Sequence, residues 1–478
     1  MTVEKKMVYK AIVGATIWPG YGQVIYKGSL LWQNDKIVAL GNQGEVELPQ
    51  GTEYLNGAGL TVVPGLIDAH THLGIQEEIY EYEGDDLNES GESAVTPEMR
   101  AIDGINPRDL AFKDALSGGV TTVMIAPGSA NVIGGSICVL KTAGTNLERM
   151  VLDPEAGVKA AFGENPKRAY SELKKMPGSR MGIAALLRQA LVDAQDYEKK
   201  KLKCEKEQEI HERDLGMELL TRLLRREIPL RAHAHRADDI GTAIRIGREF
   251  DLRLVLEHGT EADRMIPSLL EADIPVVLGP CFANRAKVEM ERVDWRTAKD
   301  LVDAGVMIAL TTDHSCTPIQ YLSLCGAMAI RYGLSWRQAL AAITINPARI
   351  LGLENRIGSL APGMDADFAI FDGDPFYYRA HCVGTFVNGQ RVWTADSKKA
   401  KLLVWWAGDS QAGAVGDSSG ENPTGGDLAG KDSTGEDPNG KDPNGGDRRR
   451  EEGETDSGQA KSGEKLPWPR WLQSIRRN

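Results

Sequence analysis

Six of the chain's eight histidines sit in short runs that close an apolar stretch. His70 and His72 lie in Asp68-Ala-His-Thr-His, His233 and His235 in Ala232-His-Ala-His, His258 in Leu256-Glu-His-Gly, and His314 beside Asp313 in Thr311-Thr-Asp-His. Neutral imidazole nitrogens and a carboxylate are the donors that first-row divalent ions take, zinc above all. Brought together, these groups would make a metal centre with positions left for water and substrate. Each motif also has a plain structural reading. A His-x-His pair on a strand merely shares one face, a single histidine can satisfy a carbonyl inside a core, and an aspartate after a strand can cap a helix. Those readings leave the coincidence of position unexplained.

The elements that must place these residues come from the pattern around them. From about 63 to 355, apolar β-branched runs alternate with helical periodicity. Eight strands are predicted, beginning at Gly65, Val120, Ile137, Val158, Pro229, Leu252, Ile274 and Val306. Helical patterns lie between most of them, such as Arg108–Leu116 ahead of Gly118-Gly119. Eight such units over nearly 300 residues predict an α/β fold, a closed parallel (β/α)8 TIM barrel. Its strand ends share one rim, and the six histidines fall at the ends of the first, fifth, sixth and eighth strands. The stretch Gln189–Glu227 is too long for one connection and reads as an inserted helical pair, with Lys199-Lys-Lys-Leu-Lys on its solvated face.

Residues 1–62 and 356–406 carry short strands with turn signals, including Asn388-Gly389 between two runs that read as a hairpin. Neither end has strands enough for a core of its own. Together they predict a small β-sandwich built from both termini. Residues 407–478 are rich in Gly, Asp, Ser, Asn and Pro, bury too little apolar surface to order themselves, and are predicted to be a disordered tail. The tail ends in a Leu466-Pro-Trp-Pro-Arg-Trp segment with no evident part in chemistry.

Composition narrows the function. The 478 residues carry 56 basic and 68 acidic groups, a net charge of −12, which argues against a nucleic-acid-binding face. No run approaches the ~18 apolar residues of a membrane span. The first residues lack the apolar core of a secretion signal, because Gly14 and Trp18-Pro19-Gly20 interrupt it. Six scattered cysteines without a Cys-x-x-Cys pair exclude a zinc ribbon and point to a reducing, cytoplasmic setting.

Val63-Pro-Gly-Leu-Ile-Asp-Ala-His-Thr-His-Leu resembles the first metal motif of the amidohydrolase superfamily. Leu230-Arg-Ala-His-Ala-His, Leu256-Glu-His-Gly-Thr and Thr311-Thr-Asp resemble its later motifs, and Asn346-Pro-Ala-Arg-Ile-Leu-Gly-Leu with Ile357-Gly-Ser-Leu-Ala-Pro-Gly its return to the sandwich. The resemblance spans about residues 5–395 and is nearest to imidazolonepropionase-like members. It implies a divalent metal, one ion or two, most often zinc. By position, His70, His72 and His233 are implied as ligands, His233 being favoured over His235 by its seven-residue spacing to Ile240. His235 and His314 are then expected to touch substrate. His258 either completes a second metal site or polarises the substrate carbonyl. Asp313 is expected to contact the metal and shuttle a proton. Two-ion relatives often bridge the ions with a carboxylated lysine from the fourth strand. Here Lys159 and Glu164 compete for that place, and Glu164 is taken as the ligand because it lies nearer the rim, with carboxylated Lys159 as the alternative.

These residues imply a hydrolase cleaving a C–N bond in a small-molecule amide, cyclic amide or dipeptide-like substrate. A deaminase of an aminated ring and a non-catalytic scaffold on the same fold are the competing readings, and the scaffold leaves the retained donors unexplained. A homo-oligomer is allowed. For substrate selection the sequence offers an acidic loop, Gly74–Asn106, with Glu77, Glu78, Glu81, Glu83, Asp85, Asp86, Glu89 and Glu92. It also offers a glycine-rich stretch, Pro127–Ser136, whose N–H groups could meet a carboxylate or carbonyl, and Arg168 and Arg180 as candidate anion clamps.

Overall fold

Strand-forming runs at both ends of the chain pair into one sheet, and the alternating middle forms another. The structure is a computed structural model, and the described residues are 8–79, 82–89, 93–396 and 403–407. The chain enters through β1 (Tyr9–Ile17), β2 (Ile25–Gln33), β3 (Lys36–Asn42), β4 (Glu53–Asn56) and β5 (Thr61–Pro64). It then runs through β6 (Leu66–Thr71), β7 (Val120–Ile125), β8 (Ile133–Lys141), β9 (Val151–Ala161), β10 (Leu230–Ala234), β11 (Leu254–His258), β12 (Val276–Leu278) and β13 (Ile308–Leu310). Four more strands, β14 (Phe368–Phe371), β15 (Cys382–Val387), β16 (Gln390–Thr394) and β17 (Trp406–Ala407), return to the first sheet.

In that sheet, ordered β16-β15-β14-β5-β1-β2-β3, β1 changes partners midway. Lys10–Val13 pair with β4 and Thr16–Ile17 with β5, the break falling at a register shift after Val13. The sheet folds over at this point, so Trp32 of β2 lies 5.1 Å from Phe368 and 5.7 Å from Phe386, edge to face, although two and three strands respectively lie between them in the order. Ile12, Leu30, Leu55, Val62 and Ile370 fill the space between. The β15–β16 hairpin turns at Asn388 (φ 50°) and Gly389 (φ 69°), the two positive angles of a type I′ turn. A Cβ on Gly389 would lie 1.9 Å from the Asn34 carbonyl, so only glycine fits.

The second sheet runs β6 to β13 in chain order. It departs from the all-parallel expectation at one strand. β8 is antiparallel to both β7 and β9. The reason is connection length: only residues 126–132 join β7 to β8, too few for a crossover that returns the chain in parallel. The β9-to-β10 passage carries the anticipated helical pair, Arg180–Glu207 and Leu215–Leu224. Between β13 and β6 the barrel is joined by side chains. Asp68, fully buried, accepts hydrogen bonds from Thr311 Oγ1 (2.6 Å), Thr312 Oγ1 (2.6 Å) and Thr312 N (3.0 Å), while the His72 N–H donates to the His314 carbonyl (3.0 Å). Burial pushes the Asp68 carboxyl up to about 6, against those hydrogen bonds. Of the tail anticipated from 407 onward only Ala407, paired in β17, is described; the rest of it, with Glu81 and Glu92 of the acidic loop, lies outside the described residues.

Barrel and terminal sheet are tied by one buried cation. Lys141 at the end of β8 meets Asp365 (2.7 Å) and Asp367 (2.9 Å) and donates to Asn388. Lys36 and Arg356 also serve Asp365, but Asp367 keeps only the Asn388 N–H. Lys141→Met should therefore lower unfolding free energy by about 3–5 kcal/mol, the usual penalty for stranding one half of a buried pair. Urea denaturation checks this, and a shift within roughly 0.5 kcal/mol, the scatter of neutral surface changes, would count against it.

Candidate metal centre

Strand alternation decides which side chains reach the barrel axis. On β10, Leu230, Ala232 and Ala234 pack outward into the helical core, so Arg231, His233 and the following His235 turn inward. On β11 the inward residues are Val255 and Glu257. His258, next in line, would face outward if the strand continued. Instead it adopts φ 71°, followed by Gly259 at φ 53°, and the ring swings back over the barrel mouth. Such left-handed angles at non-glycine residues cost about 1–3 kcal/mol and persist where their surroundings hold them. Here the hold is His258 Nδ1–H donating to the Gly279 carbonyl at 2.7 Å. Asp313, at φ 50° after β13, is placed in the same manner.

The result is a cluster of donors at one end of the barrel. Ligand atoms of His70, His258 and Asp313 lie within 4.8 Å of one another, as do those of His233, His235 and His258. His258 belongs to both groups. His72 Nε2 stands 3.5 Å from Asp313 Oδ1, and His70 Nε2 3.6 Å from it. Of the residues named from sequence, His70, His72, His233, His235, His258 and Asp313 thus converge. Glu164 does not. It begins a helix (Glu164–Glu172) beyond the strand end and its carboxylate faces Arg168 at 3.7 Å. The inward place on β9 goes to Lys159, whose Nζ lies 3.3 Å from His70 Nε2. The preference for Glu164 over Lys159 is therefore reversed, because alternation along β9 governs and nearness to the rim does not. His314 is also apart from the cluster: its Nδ1 accepts the Ile319 N–H and its Nε2 is 3.5 Å from Glu78.

Most of these imidazoles are aimed by a bond at the ring nitrogen remote from the cluster. His70 Nδ1 pairs with Glu257 Oε2 (2.9 Å), His72 Nδ1 with the Ala126 carbonyl (2.7 Å) and His235 Nδ1 with Thr260 Oγ1 (2.7 Å). The Glu257 carboxylate and the Ala126 carbonyl can only accept, so they fix the tautomers of His70 and His72 and present Nε2 as a lone pair, whereas Thr260 Oγ1 can either donate to His235 Nδ1 or accept from it. Glu257 is held in turn by Arg231, whose Nη2 donates to the Ala69 carbonyl (2.7 Å). Burial holds His70, His233 and His258 well below the usual imidazole range, and pushes His235 down to about 3 and His314 to about 4, so the rings are neutral at physiological pH. For Asp313, burial works toward protonation, but His258, His72 and His70 hold the carboxyl well below its ordinary value. Burial also brings Lys159 down to about 8, against the pull of Glu257, Asp313 and Glu89.

The donor set fits a divalent ion. Asp313 Oδ1 and His233 Nδ1 are buried without a hydrogen-bond partner, an arrangement that is costly unless a ligand completes it. Neutral nitrogens with one carboxylate suit zinc-like ions.

Several neighbours went unmarked in the sequence. Glu257 and Arg231 sit beside motif histidines, and the inward phase of His233 already implied that Arg231 shares its face. Other expected features have different uses. Ser129 and Ala130 of the glycine-rich stretch give their N–H groups to Glu89 (2.7 and 3.0 Å), a residue of the acidic loop, and Arg180 is bound to Asp239 (2.9 Å).

Known proteins share this arrangement of barrel and terminal sheet. Residues 61–401 match the amidohydrolase family, and the chain belongs to it. It is similar to the crystal structure of an amidohydrolase from Thermotoga maritima MSB8, with 42% identity and a TM-score of 0.78, over 81% of this chain and all of that one. Among curated proteins, amidohydrolase tasK of Hapsidospora irregularis is 28% identical over 77% of this chain, which spans only 40% of that protein's length. An imidazolonepropionase of Geobacillus kaustophilus is 26% identical over 78% of this chain and 92% of its own.

Because Glu257 fixes His70, Glu257→Gln should weaken divalent-ion affinity about 10- to 100-fold. Competition against a chromogenic chelator reads this, and an unchanged affinity would show that His70 needs no such support.

Proposed function

We propose that this chain is a metal-dependent hydrolase of a C–N bond in an amide, cyclic amide or dipeptide-like small molecule. The observation that carries the reading is the pair of overlapping donor clusters sharing His258 on one rim, with Asp313 Oδ1 buried and unpartnered among them. His70, His72 and Asp313 are the residues we assign to one ion, and His233 with His258 to a second or to the substrate carbonyl. His235 then stands beside them toward the substrate. When bound, such an ion acts as a Lewis acid and draws the pKa of water from about 16 to roughly 7.

The chain's own groups do the rest. Asp313 takes the proton of the attacking water and passes it to the departing nitrogen. His235, with Nδ1 accepting the Thr260 hydroxyl and Nε2–H left free, steadies the carbonyl oxygen as its charge grows, in a setting of low dielectric. For the fourth-strand ligand we propose Lys159 carrying a carbamate: its neutral amine adds to the carbon of carbon dioxide and one N–H proton leaves to solvent. Its inward place against His70 and a pKa of about 8 both favour that reaction. Zinc is the ion the nitrogen-rich set suits, and six unpaired cysteines suit a reducing compartment.

The test is a panel of cyclic amides and dipeptides offered to zinc-loaded protein, with ammonia followed separately. Expected is C–N cleavage that a chelator abolishes and zinc restores. Asp313→Asn should keep fold and metal while losing about 10²- to 10⁴-fold in kcat. Wild-type turnover by that variant removes Asp313 from its role, and ammonia release from aminated rings without amide cleavage favours deamination. Protein equilibrated with ¹³C-bicarbonate should show a carbamate carbon by NMR that is absent from Lys159→Ala; equal spectra contradict the modified lysine.

A further inference from the structure

After β12 the chain crosses the barrel mouth, and Lys287-Val288-Glu289 turns two charges inward. The Lys287 and Glu289 side chains are 3% and 1% exposed, whereas Val288 between them is 71% exposed. Lys287 Nζ donates to Asn165 Oδ1 at 2.6 Å. Asn165 Nδ2 in turn donates to Ser129 Oγ (2.7 Å) and stands 3.4 Å from His233 Nε2. The ammonium is therefore one carboxamide's width from the metal donors.

An ammonium offers three N–H donors, and Asn165 occupies one. The nearest carboxylate, Glu289 Oε1, is 4.0 Å away, beyond a hydrogen bond, and has no partner itself. The cations that the sequence offered as anion clamps are already paired, Arg168 with Glu164 and Arg180 with Asp239. A buried ammonium without a bonded carboxylate is costly, unless a ligand brings the anion. The neighbourhood also limits that anion. Glu289, Asp313 and Glu89 all act on Lys287, so a dianion such as phosphate meets more repulsion than a single carboxylate does.

We infer that Lys287 is a specificity residue that binds a free carboxylate on the substrate, next to the scissile amide. The substrate class is then an N-acyl amino acid or dipeptide-like acid. This rests on the proposed hydrolase activity and narrows it.

The experiment measures binding and turnover separately on zinc-loaded protein. N-acetyl derivatives of alanine, leucine and phenylalanine, as free acids and as primary carboxamides, are titrated calorimetrically into the wild type, Lys287→Met and Lys287→Arg. Expected is at least one acid bound tenfold or more tighter than its carboxamide by the wild type, a ratio near one in Lys287→Met, and partial recovery in Lys287→Arg. No acid preference in the wild type overturns the proposal, as does a preference retained by Lys287→Met. Should Lys287→Met melt well below the wild type, Lys287→Gln takes its place under the same criteria. Acid preference without hydrolysis of any probe supports the carboxylate subsite while counting against the hydrolase reading.

Discussion

The rim of this barrel depends on the fully buried ion pair between Arg231 and Glu257. Two charges inside a barrel are costly unless each is bonded on several sides. Here Arg231 also reaches the Ala69 carbonyl, and Glu257 also accepts a hydrogen bond from the His70 Nδ1–H. The second bond gives the pair its consequence. With Nδ1 engaged below, His70 turns Nε2 toward Lys159 and Asp313. Strands β6, β10 and β11 are thus tied at the level where the donors begin.

Above that layer, aim comes mainly from the backbone. The Ala126 and Gly279 carbonyls each take one imidazole N–H, and the left-handed turns at His258 and Asp313 bring side chains over the mouth that a continuing strand would send elsewhere. Burial keeps the His70, His233, His235 and His258 imidazoles neutral, which is the state a metal requires. The seam matters equally. Asp68 joins β6 to the threonines after β13, and so sets His70 and His72 opposite Asp313 although some 240 residues lie between them. The residue that closes the barrel lies within the first metal motif, two positions before His70.

Much of this was legible in the sequence. Repeating strand–helix periodicity with histidines at strand ends predicts a barrel and its working face, and Asn388-Gly389 predicts the hairpin it forms. The antiparallel β8 was readable too, from a connection too short to cross over, but pattern counting weighs strands and not the lengths between them. Glu164 stands apart from the other donors for a related reason. Distance along the chain brought it near the rim, whereas the phase of β9 turned Lys159 inward and the helix start carried Glu164 toward Arg168. Glu257, Asn165 and Lys287 could not be found locally, because their partners are 187, 68 and 122 positions away and a single sequence contains no sign of those meetings.

Anomalous diffraction from crystals grown with zinc, recorded on both sides of the zinc edge, asks most directly whether these distant side chains share a cation. The account predicts one or two strong peaks bounded by His70, His72, His233, His258 and Asp313. Catalytically active crystals with no anomalous density among those five side chains would contradict it.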